Sequence, residues 1–387
     1  MNLLRAHSTS QLQPAQANGY QLTAALFLRL LALIFFSAFA SLAIQIEGLA
    51  GSQGILPVSE ALDKNLAYWG NTAFWHFPSL FWINSSDFML ITTTYLGCLI
   101  SILFFFNILP RISLIILLVL YLSLSYAGQI FMNFQWDTLL MEAGFLAIFL
   151  SPHSRYSIWL FRWLLFRLRF LSGISKLVTQ DPSWSGLTAV VLYFEVQPLP
   201  NWLSWYAHQL PEWLLMSATA LTLLIEIVVP FMMFLPRRYR FIAAWLTIAL
   251  QVLIMLTSNH NWINLLTIAL CLFLFDDQAL ERVVPIRLKS WLLSKPLPFN
   301  RERKFYKPAM LILGSFILFI SSVQIYEMLI YQRIEGRVGE LKRQVQILRL
   351  VNQYHVFPTM KTERLELLIY GSNDGQQWQE YLFKHKP

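Results

Sequence analysis

The chain has 387 residues, of which 56% are hydrophobic and 13% are charged, and its 29 Lys and Arg residues against 21 Asp and Glu residues give a formal net charge of +8. The low charged fraction excludes an ordinary soluble domain, in which about a quarter of the residues are charged. The basic residues are dispersed between apolar segments and form no single stripe, so they favour membrane topology over a nucleic-acid-binding surface.

Nine apolar segments are long enough, or nearly long enough, to cross a bilayer, for which a helix needs about 20 residues. They are Leu22 to Ile44, Phe88 to Leu109, Ile112 to Ala127, Thr138 to Leu150, Trp159 to Leu177, Trp213 to Leu235, Phe241 to Thr257, Trp262 to Phe275 and Ala309 to Ile330. The fourth and eighth segments are too short to cross alone, so they borrow flanking residues or form re-entrant or buried segments. We predict an all-α polytopic membrane protein with about nine transmembrane or membrane-embedded helices in residues 22–330. The first is an uncleaved span, because it is too long for a signal peptide.

Basic residues fall in alternate loops, and this sets the orientation because Lys and Arg near membrane ends are retained on the cytoplasmic side. The basic loops hold Arg5, Arg111, Arg155, the cluster Arg237, Arg238 and Arg240, and the group from Arg282 to Lys307. The opposite loops contain only Lys64 between Glu47 and Asp87, and no basic residue between Asp181 and Glu212. We therefore expect residues 1–21 to be a cytoplasmic tail and residues 331–387 to be non-cytoplasmic. The membrane would be a bacterial inner membrane or that of the endoplasmic reticulum.

The chain becomes more polar after Tyr331. Ile334 to Tyr354 is amphipathic, and Arg364 to Lys386 alternates like strands around the turn residues Gly371 to Gly375, which predict a hairpin. We expect a short helix followed by a small, partial β-domain. Two or three strands cannot bury a core alone, so this segment should pack on the membrane domain, pair with another chain or begin a longer domain. The end at Pro387 leads us to expect a shortened chain.

The fourth and fifth segments carry polar and ionisable side chains at membrane depth, where such groups need a partner or a function. They are Gln135, Asp137, Glu142, Arg162, Arg167, Arg169 and Lys176. If the two segments form an antiparallel hairpin centred on Pro152, Glu142 lies opposite Arg162 and Asp137 lies opposite Arg167. We predict that they form buried pairs within a polar and ion-pair network. Glu226 and Gln251, in later segments, are expected to satisfy each other or nearby backbone.

Lys176 is the candidate catalytic residue. Arg162, Arg169 and Lys176 recur every seven residues and so share one helical face, which must point to the bundle interior or to a watery cavity. A desolvated Lys can act as a base. The alternative is that these side chains extend to the interface as anchors.

The loop between the fifth and sixth segments is rich in aromatic and proline residues, and either rests on the membrane surface or forms a ligand cradle. Our binding candidates here and in the loop before the eighth segment are Trp184, Glu195, Gln197, Asn201, Asn259 and Asn261. Seven His residues without paired spacing and two Cys residues, Cys98 and Cys271, predict no metal site and no disulfide framework. Walker, Rossmann and Gly-x-Ser-x-Gly motifs are absent from the sequence, and we expect no cofactor.

Five sequence segments resemble the lipase maturation factor family, which are multi-pass membrane proteins of the endoplasmic reticulum with bacterial relatives. The segments are Asn133 to Leu146, Phe166 to Leu177, Tyr193 to Asn201, Asn259 to Leu270 and Glu363 to Tyr381. The resemblance, to a bacterial-type member, implies a factor that helps secreted lipases to fold and assemble, with an exported lipase as its client. The chain departs from the family pattern at Val196, where the family has Thr, and at Trp202 and Leu365, where it has Pro. The family also continues past the position of Pro387.

A more distant resemblance, over Phe170 to Trp184, links the chain to the membrane domain of vitamin K-dependent carboxylases. In that family the Lys that matches Lys176 acts as the base toward the quinone cofactor. Three functions therefore compete. The first is a non-catalytic maturation factor in contact with membrane lipids, and the second is a membrane enzyme that acts on a lipid or quinone-like substrate with Lys176 as base. The third, a transporter, would need two repeated halves, and the sequence has no convincing internal repeat.

Overall fold

The computed structural model describes residues 19–295 and 305–382. Most of the predicted cytoplasmic tail, the basic residues Arg301, Arg303 and Lys304, and the last residues of the predicted β-segment lie outside the described residues.

The described residues are predominantly α-helical. The helices are α1 (Gln21–Ala50), α2 (Val58–Trp69), α3 (Ala73–His76), α4 (Asp87–Phe105), α5 (Pro110–Ala127), α6 (Gln135–Ile148), α7 (Arg155–Val178), α8 (Pro182–Ser185), α9 (Ala189–Val196), α10 (Trp202–His208), α11 (Glu212–Ile227), α12 (Arg237–Thr257), α13 (Ile263–Cys271), α14 (Asp277–Leu280), α15 (Ile286–Leu293), α16 (Tyr306–Ile330) and α17 (Gly336–Ile347). Short 3-10 helices occupy Gly70–Thr72, Leu80–Trp82, Gln129–Met132, Val229–Phe234 and Leu272–Leu274.

All nine predicted segments are helical. Within the described residues, six helical segments are long and apolar enough to cross a bilayer: α1, α4, α5, α11 with the 3-10 turn that follows it, α12 and α16. The other three predicted segments correspond to α6, α7 and α13. Helices α6 and α13 are short, with 14 and 9 residues, and α7 has 24 residues but carries the buried basic side chains. The predicted class, a polytopic helical membrane protein, is confirmed.

Helices α1 and α7 form the centre of the core. Large apolar side chains on most faces of these two helices are buried. Phe27 of α1, Phe161 of α7 and Phe273 after α13 form an aromatic cluster with ring centroids 4.3 to 5.0 Å apart. Edge-to-face and stacked contacts of this kind add to the free energy gained from burial. Helix α7 lies centrally and packs against α6, α11, α13 and α16, so its polar side chains meet partners from several helices.

The C-terminal segment contains the predicted helix and hairpin. Strands β1 (Tyr370–Gly371) and β2 (Gln379–Glu380) pair antiparallel, with Tyr370 opposite Glu380. The hairpin turn is stabilised by Asp374, whose Oδ1 accepts hydrogen bonds from the backbone N–H groups of Gln376 and Gln377 at 2.8 Å. Gly375 takes a φ of +70°, which glycine adopts without strain. The predicted hairpin is confirmed, but each strand has only 2 residues.

Candidate functional site

Glu142 is the centre of a first buried cluster. It lies on α6 and is completely buried, and its carboxylate is bonded by the Arg167 guanidinium of α7. Beyond α17, the Asn352 backbone N–H and the Tyr354 hydroxyl donate to the same carboxylate at 3.0 and 2.8 Å. Arg167 also donates to the Asn352 carbonyl at 3.1 Å. A buried ion pair is tolerated when further hydrogen bonds satisfy both charges, so this cluster fixes the C-terminal segment to the bundle.

The tyrosine in this cluster is held as a hydrogen-bond donor. Burial raises the pKa of the Tyr354 hydroxyl well above its ordinary value, and the nearby charge of Glu142 raises it further. The guanidinium carbon of Arg167 also lies 5.9 Å from the centre of the Tyr354 ring. The neutral phenol therefore donates to the carboxylate throughout the physiological pH range.

Glu226 of α11 is the centre of a second buried cluster. Its carboxylate pairs with Arg169 at 2.9 Å and with Lys176 at 2.7 Å, both from α7. Gly173 lies between these two basic residues, and a Cβ atom added there would stand 2.9 Å from the Cβ of Glu226 and 2.7 Å from Cγ1 of Ile227. Only glycine therefore permits the close approach of α7 and α11 that brings these charges together.

Lys176 has more than one partner. Besides Glu226, its ammonium donates to the Val356 carbonyl at 2.7 Å and to the Ser172 carbonyl at 3.1 Å. The ammonium nitrogen also lies 4.9 Å from the centre of the Trp184 ring, within the range of a cation–π contact. The ammonium thus has one carboxylate and two carbonyl oxygens as partners, which is the arrangement of a structural ion pair.

The other predicted polar residues do not join these clusters. Asp137 accepts a hydrogen bond from the Tyr121 hydroxyl at 2.6 Å. Gln135 is only partly buried and accepts from the His355 backbone N–H at 3.1 Å. Arg162 donates to the Phe273 carbonyl at 2.9 Å and to the Tyr20 hydroxyl at 2.6 Å. The predicted network therefore does not extend to Gln135, Asp137 and Arg162.

The predicted pairings were also wrong: Glu142 pairs with Arg167 and not with Arg162, and Asp137 pairs with Tyr121 and not with Arg167. Equal depth in the membrane does not decide which side chains pair, because their direction around the helix axis must match as well. Five residues separate Arg162 from Arg167, which places them about 140° apart around a helix with 3.6 residues per turn. Arg162 thus points toward α13, with Arg169 and Lys176 near the same face, while Arg167 points toward α6.

Three residues of these clusters were not among the predicted site residues. Glu226 was expected to satisfy Gln251 or backbone, but it binds two basic side chains. Its signal was the same as that of Glu142, a carboxylate in an apolar segment whose burial is costly without a cation. Asn352 and Tyr354 gave no signal, because the sequence does not show that their segment enters the bundle.

The binding candidates in the loops fall into different environments. Trp184 is buried against Lys176, and Gln197 is buried while Glu195 is exposed. Asn201 caps α10 by accepting from the Ser204 N–H at 3.0 Å. Asn259 donates to the Pro200 carbonyl at 3.4 Å, and Asn261 lies partly buried beside it in the chain. These six residues form no single cradle.

A cavity of about 430 Å³ lies next to the second cluster. Its walls come from helices α7 to α13 and from the segment after α17, and are mostly aliphatic and aromatic, while Arg169, Lys176 and Glu226 line one part of it. At another part, the Tyr193 hydroxyl lies 2.7 Å from Ser258 Oγ and 2.9 Å from His260 Nε2. In the described part of the chain, no group of three or more His, Cys, Asp or Glu residues could hold a metal ion.

Comparison with known proteins identifies relatives of most of the bundle. Residues 22–282 match the family model described as the lipase maturation factor transmembrane domain. Lipase maturation factor 2 of Xenopus laevis is 42% identical over 284 residues, which cover 67% of this chain and 40% of the relative. Lipase maturation factor 2 of Homo sapiens is 38% identical over 292 residues, covering 68% of this chain and 41% of the relative.

A second group of relatives matches nearly the whole chain. Lipase maturation factor 1 of Mus musculus is 30% identical over 406 aligned positions, which cover 95% of this chain and 70% of the relative. The chain spans about two fifths of the length of the lipase maturation factor 2 proteins that it matches. No solved structure matches the chain.

Proposed function

This chain belongs to the lipase maturation factor family, and from that membership we propose that it assists the folding and assembly of exported lipases. It is an integral membrane protein. In this proposal the client is bound on the non-cytoplasmic side, and the distribution of Lys and Arg supports a C-terminal segment on that side. The membrane is the inner membrane in a bacterium or the endoplasmic reticulum membrane in a eukaryote.

The observation that carries the proposal is an apolar surface held at a fixed position on the bundle. The segment after α17 is anchored by Glu142 and by the bond from Lys176 to the Val356 carbonyl. Beyond this anchor, Leu365 and Leu367 are 90% and 84% exposed, and Trp378 and Leu382 are also exposed. Four exposed large apolar side chains within one 18-residue stretch favour a surface that binds protein. An anchored surface of this kind suits the capture of a partly folded client.

The enzyme alternative depends on Lys176. This residue lines the apolar cavity, which favours a membrane-soluble substrate. Its ammonium, however, is bonded to Glu226, Ser172 and Val356, so a substrate would have to displace one of these acceptors before a proton could be exchanged. We therefore place the enzyme second to the maturation factor.

The proposal is tested by secretion of an active lipase. The host is a strain that lacks its own copy of this protein, complemented with variants of the chain, and the measurement is the specific activity of the secreted lipase. The double variant Leu365→Ser and Leu367→Ser is expected to lower this activity without changing the amount of membrane-inserted protein. The matched control, Gln376→Ser with Gln377→Ser, changes equally exposed residues of the same segment and should behave as the parent chain.

The same assay separates the two functions at Lys176. Lys176→Arg keeps a positive charge beside Glu226, but Arg cannot lose its proton in a protein. A maturation factor should tolerate this change, whereas an enzyme with Lys176 as base should lose its activity. Normal lipase secretion from the double Leu variant would contradict the proposed client surface.

A further inference from the structure

Four buried hydrogen-bond donors beside the apolar cavity have no acceptor, and one of them is the Trp184 indole that faces Lys176. The other three are Arg169 Nε, Gln251 Nε2 and Asn264 Nδ2, on α7, α12 and α13, and all three residues are buried and line the cavity. Buried donors are nearly always bonded in folded proteins, because an unsatisfied donor loses its hydrogen bonds to water and gains nothing in return. Three such donors around one cavity indicate that an acceptor-rich group completes the site.

The charges around the cavity favour an anion. Arg169 and Lys176 contribute two positive charges and Glu226 contributes one negative charge, which leaves one positive charge in excess. Other titratable groups that line the cavity are Tyr193 and His260, which are neutral at physiological pH. An acidic head group would balance this charge and also accept hydrogen bonds from the three donors.

The walls and the opening of the cavity favour a hydrocarbon chain. The volume of about 430 Å³ falls within the range of about 300–1,000 Å³ that small-molecule sites occupy. Leu221 of α11 and Leu253 of α12 line the cavity and are 48% and 56% exposed. Both belong to membrane-spanning helices, so the cavity opens between these helices toward the acyl chains of the bilayer.

We propose that this cavity binds the acyl chain of an anionic lipid, with the acidic head group placed against Arg169, Gln251 and Asn264. A carboxylate and a phosphate share the required chemistry, and either a free fatty acid or an acidic phospholipid supplies it. Val356 and Met360 of the C-terminal segment line the cavity, but its exposed residues such as Leu365 do not. The proposal therefore goes beyond the function in lipase maturation and does not depend on it.

The experiment is photolabelling of the full chain, purified in lipid nanodiscs of neutral phospholipid. Three probes carry the same diazirine-bearing palmitoyl chain: palmitic acid, palmitic acid methyl ester, and phosphatidic acid, which also has a glycerol backbone and a second acyl chain. The acidic probes are expected to label residues of α11, α12 and α13 about tenfold more strongly than the ester, because the ester lacks the negative charge and the second strong acceptor. The acid that labels more strongly identifies the source of the head group.

Variants locate the head group within the site. Asn264→Leu and Gln251→Leu should each reduce labelling by the acids about tenfold. Thr247→Val is the matched control, because Thr247 lies on α12 one turn before Gln251, is buried without a partner for its hydroxyl, and does not line the cavity. Replacing an unsatisfied amide with Leu should leave the melting temperature of the lipid-free protein unchanged or raise it. A loss of labelling would then not reflect unfolding.

Ala218→Trp provides an independent test by filling the cavity from α11, and it should abolish labelling by both acids. Equal labelling by the acids and the ester in the unaltered chain would overturn the proposal without any variant. Labelling that persists in both Asn264→Leu and Ala218→Trp would overturn it as well. Photolabelling does not measure lipase secretion. Its result therefore neither supports nor contradicts the proposed function in lipase maturation.

Discussion

Glu142 and Tyr354 are 212 residues apart in the chain, yet the Tyr354 hydroxyl donates a 2.8 Å hydrogen bond to the Glu142 carboxylate inside the bundle. The bond joins a membrane-embedded helix to the segment that follows the last spanning helix. The stability of the bundle and the position of the C-terminal segment are therefore coupled.

Removing the Tyr354 hydroxyl should destabilise the protein. Tyr354→Phe leaves the buried carboxylate one donor short, and we expect a loss of about 1–3 kcal/mol in the free energy of unfolding. Chemical unfolding in mild detergent measures it. Tyr381→Phe is the control, because Tyr381 is exposed, and it should change stability little. Equal stability of the two variants would show that the bond contributes nothing.

Removing the charge of Arg167 should destabilise the protein more than removing the charge of Arg162, five residues earlier on α7. Arg167→Met leaves Glu142 buried without its cation, and breaking a buried pair in this way costs about 3–5 kcal/mol. Arg162→Met removes hydrogen bonds to a carbonyl and a hydroxyl but strands no charge, so we expect about 1–2 kcal/mol. Chemical unfolding in mild detergent measures both losses in the free energy of unfolding. A reversed order would support the pairing of Glu142 with Arg162.

Gly173 should be intolerant of any side chain. Gly173→Ala places a Cβ atom against the backbone carbonyl carbon of Glu226 at 3.0 Å, which must push α7 and α11 apart. Overpacking of this kind costs about 1–3 kcal/mol. Gly314→Ala on α16 is the matched control, since the added atom would meet only Leu160 Cδ2 at 3.7 Å and Ala favours helix. A melting temperature unaffected by Gly173→Ala would show that the two helices have room to separate.

His260 should make the protein less stable in acid. Burial lowers the pKa of His260, which lies in the loop between α12 and α13, below its ordinary value of about 6.5. Above that value the residue is neutral in both the folded and unfolded chain. When the pH falls below about 6.5, the ordinary pKa, the unfolded chain binds a proton while the folded chain does not. The free energy of unfolding therefore decreases until the pH reaches the lower pKa of the folded state.

The pH dependence is measured as the melting temperature between pH 8 and pH 5. Burial also lowers the pKa of His355, so each His contributes to the loss in acid. We expect His260→Gln and His355→Gln each to reduce the loss, and the double variant to reduce it most. An unchanged profile in the double variant would assign the acid sensitivity to other groups.

Local patterns in the sequence identified most of the helical elements. An apolar run such as Leu22 to Ile44 has few alternatives to a helix in a bilayer, because every backbone hydrogen bond must be made within the segment. The residues Gly371 to Gly375 predicted the hairpin because residue types that favour a turn act within a few residues of the chain. The seven-residue spacing of Arg162, Arg169 and Lys176 placed them near one face of α7, because helical geometry depends on spacing alone.

The sequence by itself therefore determined a helical membrane bundle with charged groups in its interior, since hydrophobicity and periodicity are local properties of the chain. Only the tertiary structure decided which charges meet. Arg167 reaches Glu142 because of its direction around α7, and Glu226 reaches Arg169 and Lys176 because Gly173 lets two helices approach. Tyr354 joins Glu142 because a distant segment enters the bundle. Helix rotation, helix separation and the path of the chain arise from long-range packing, which no short stretch of sequence encodes.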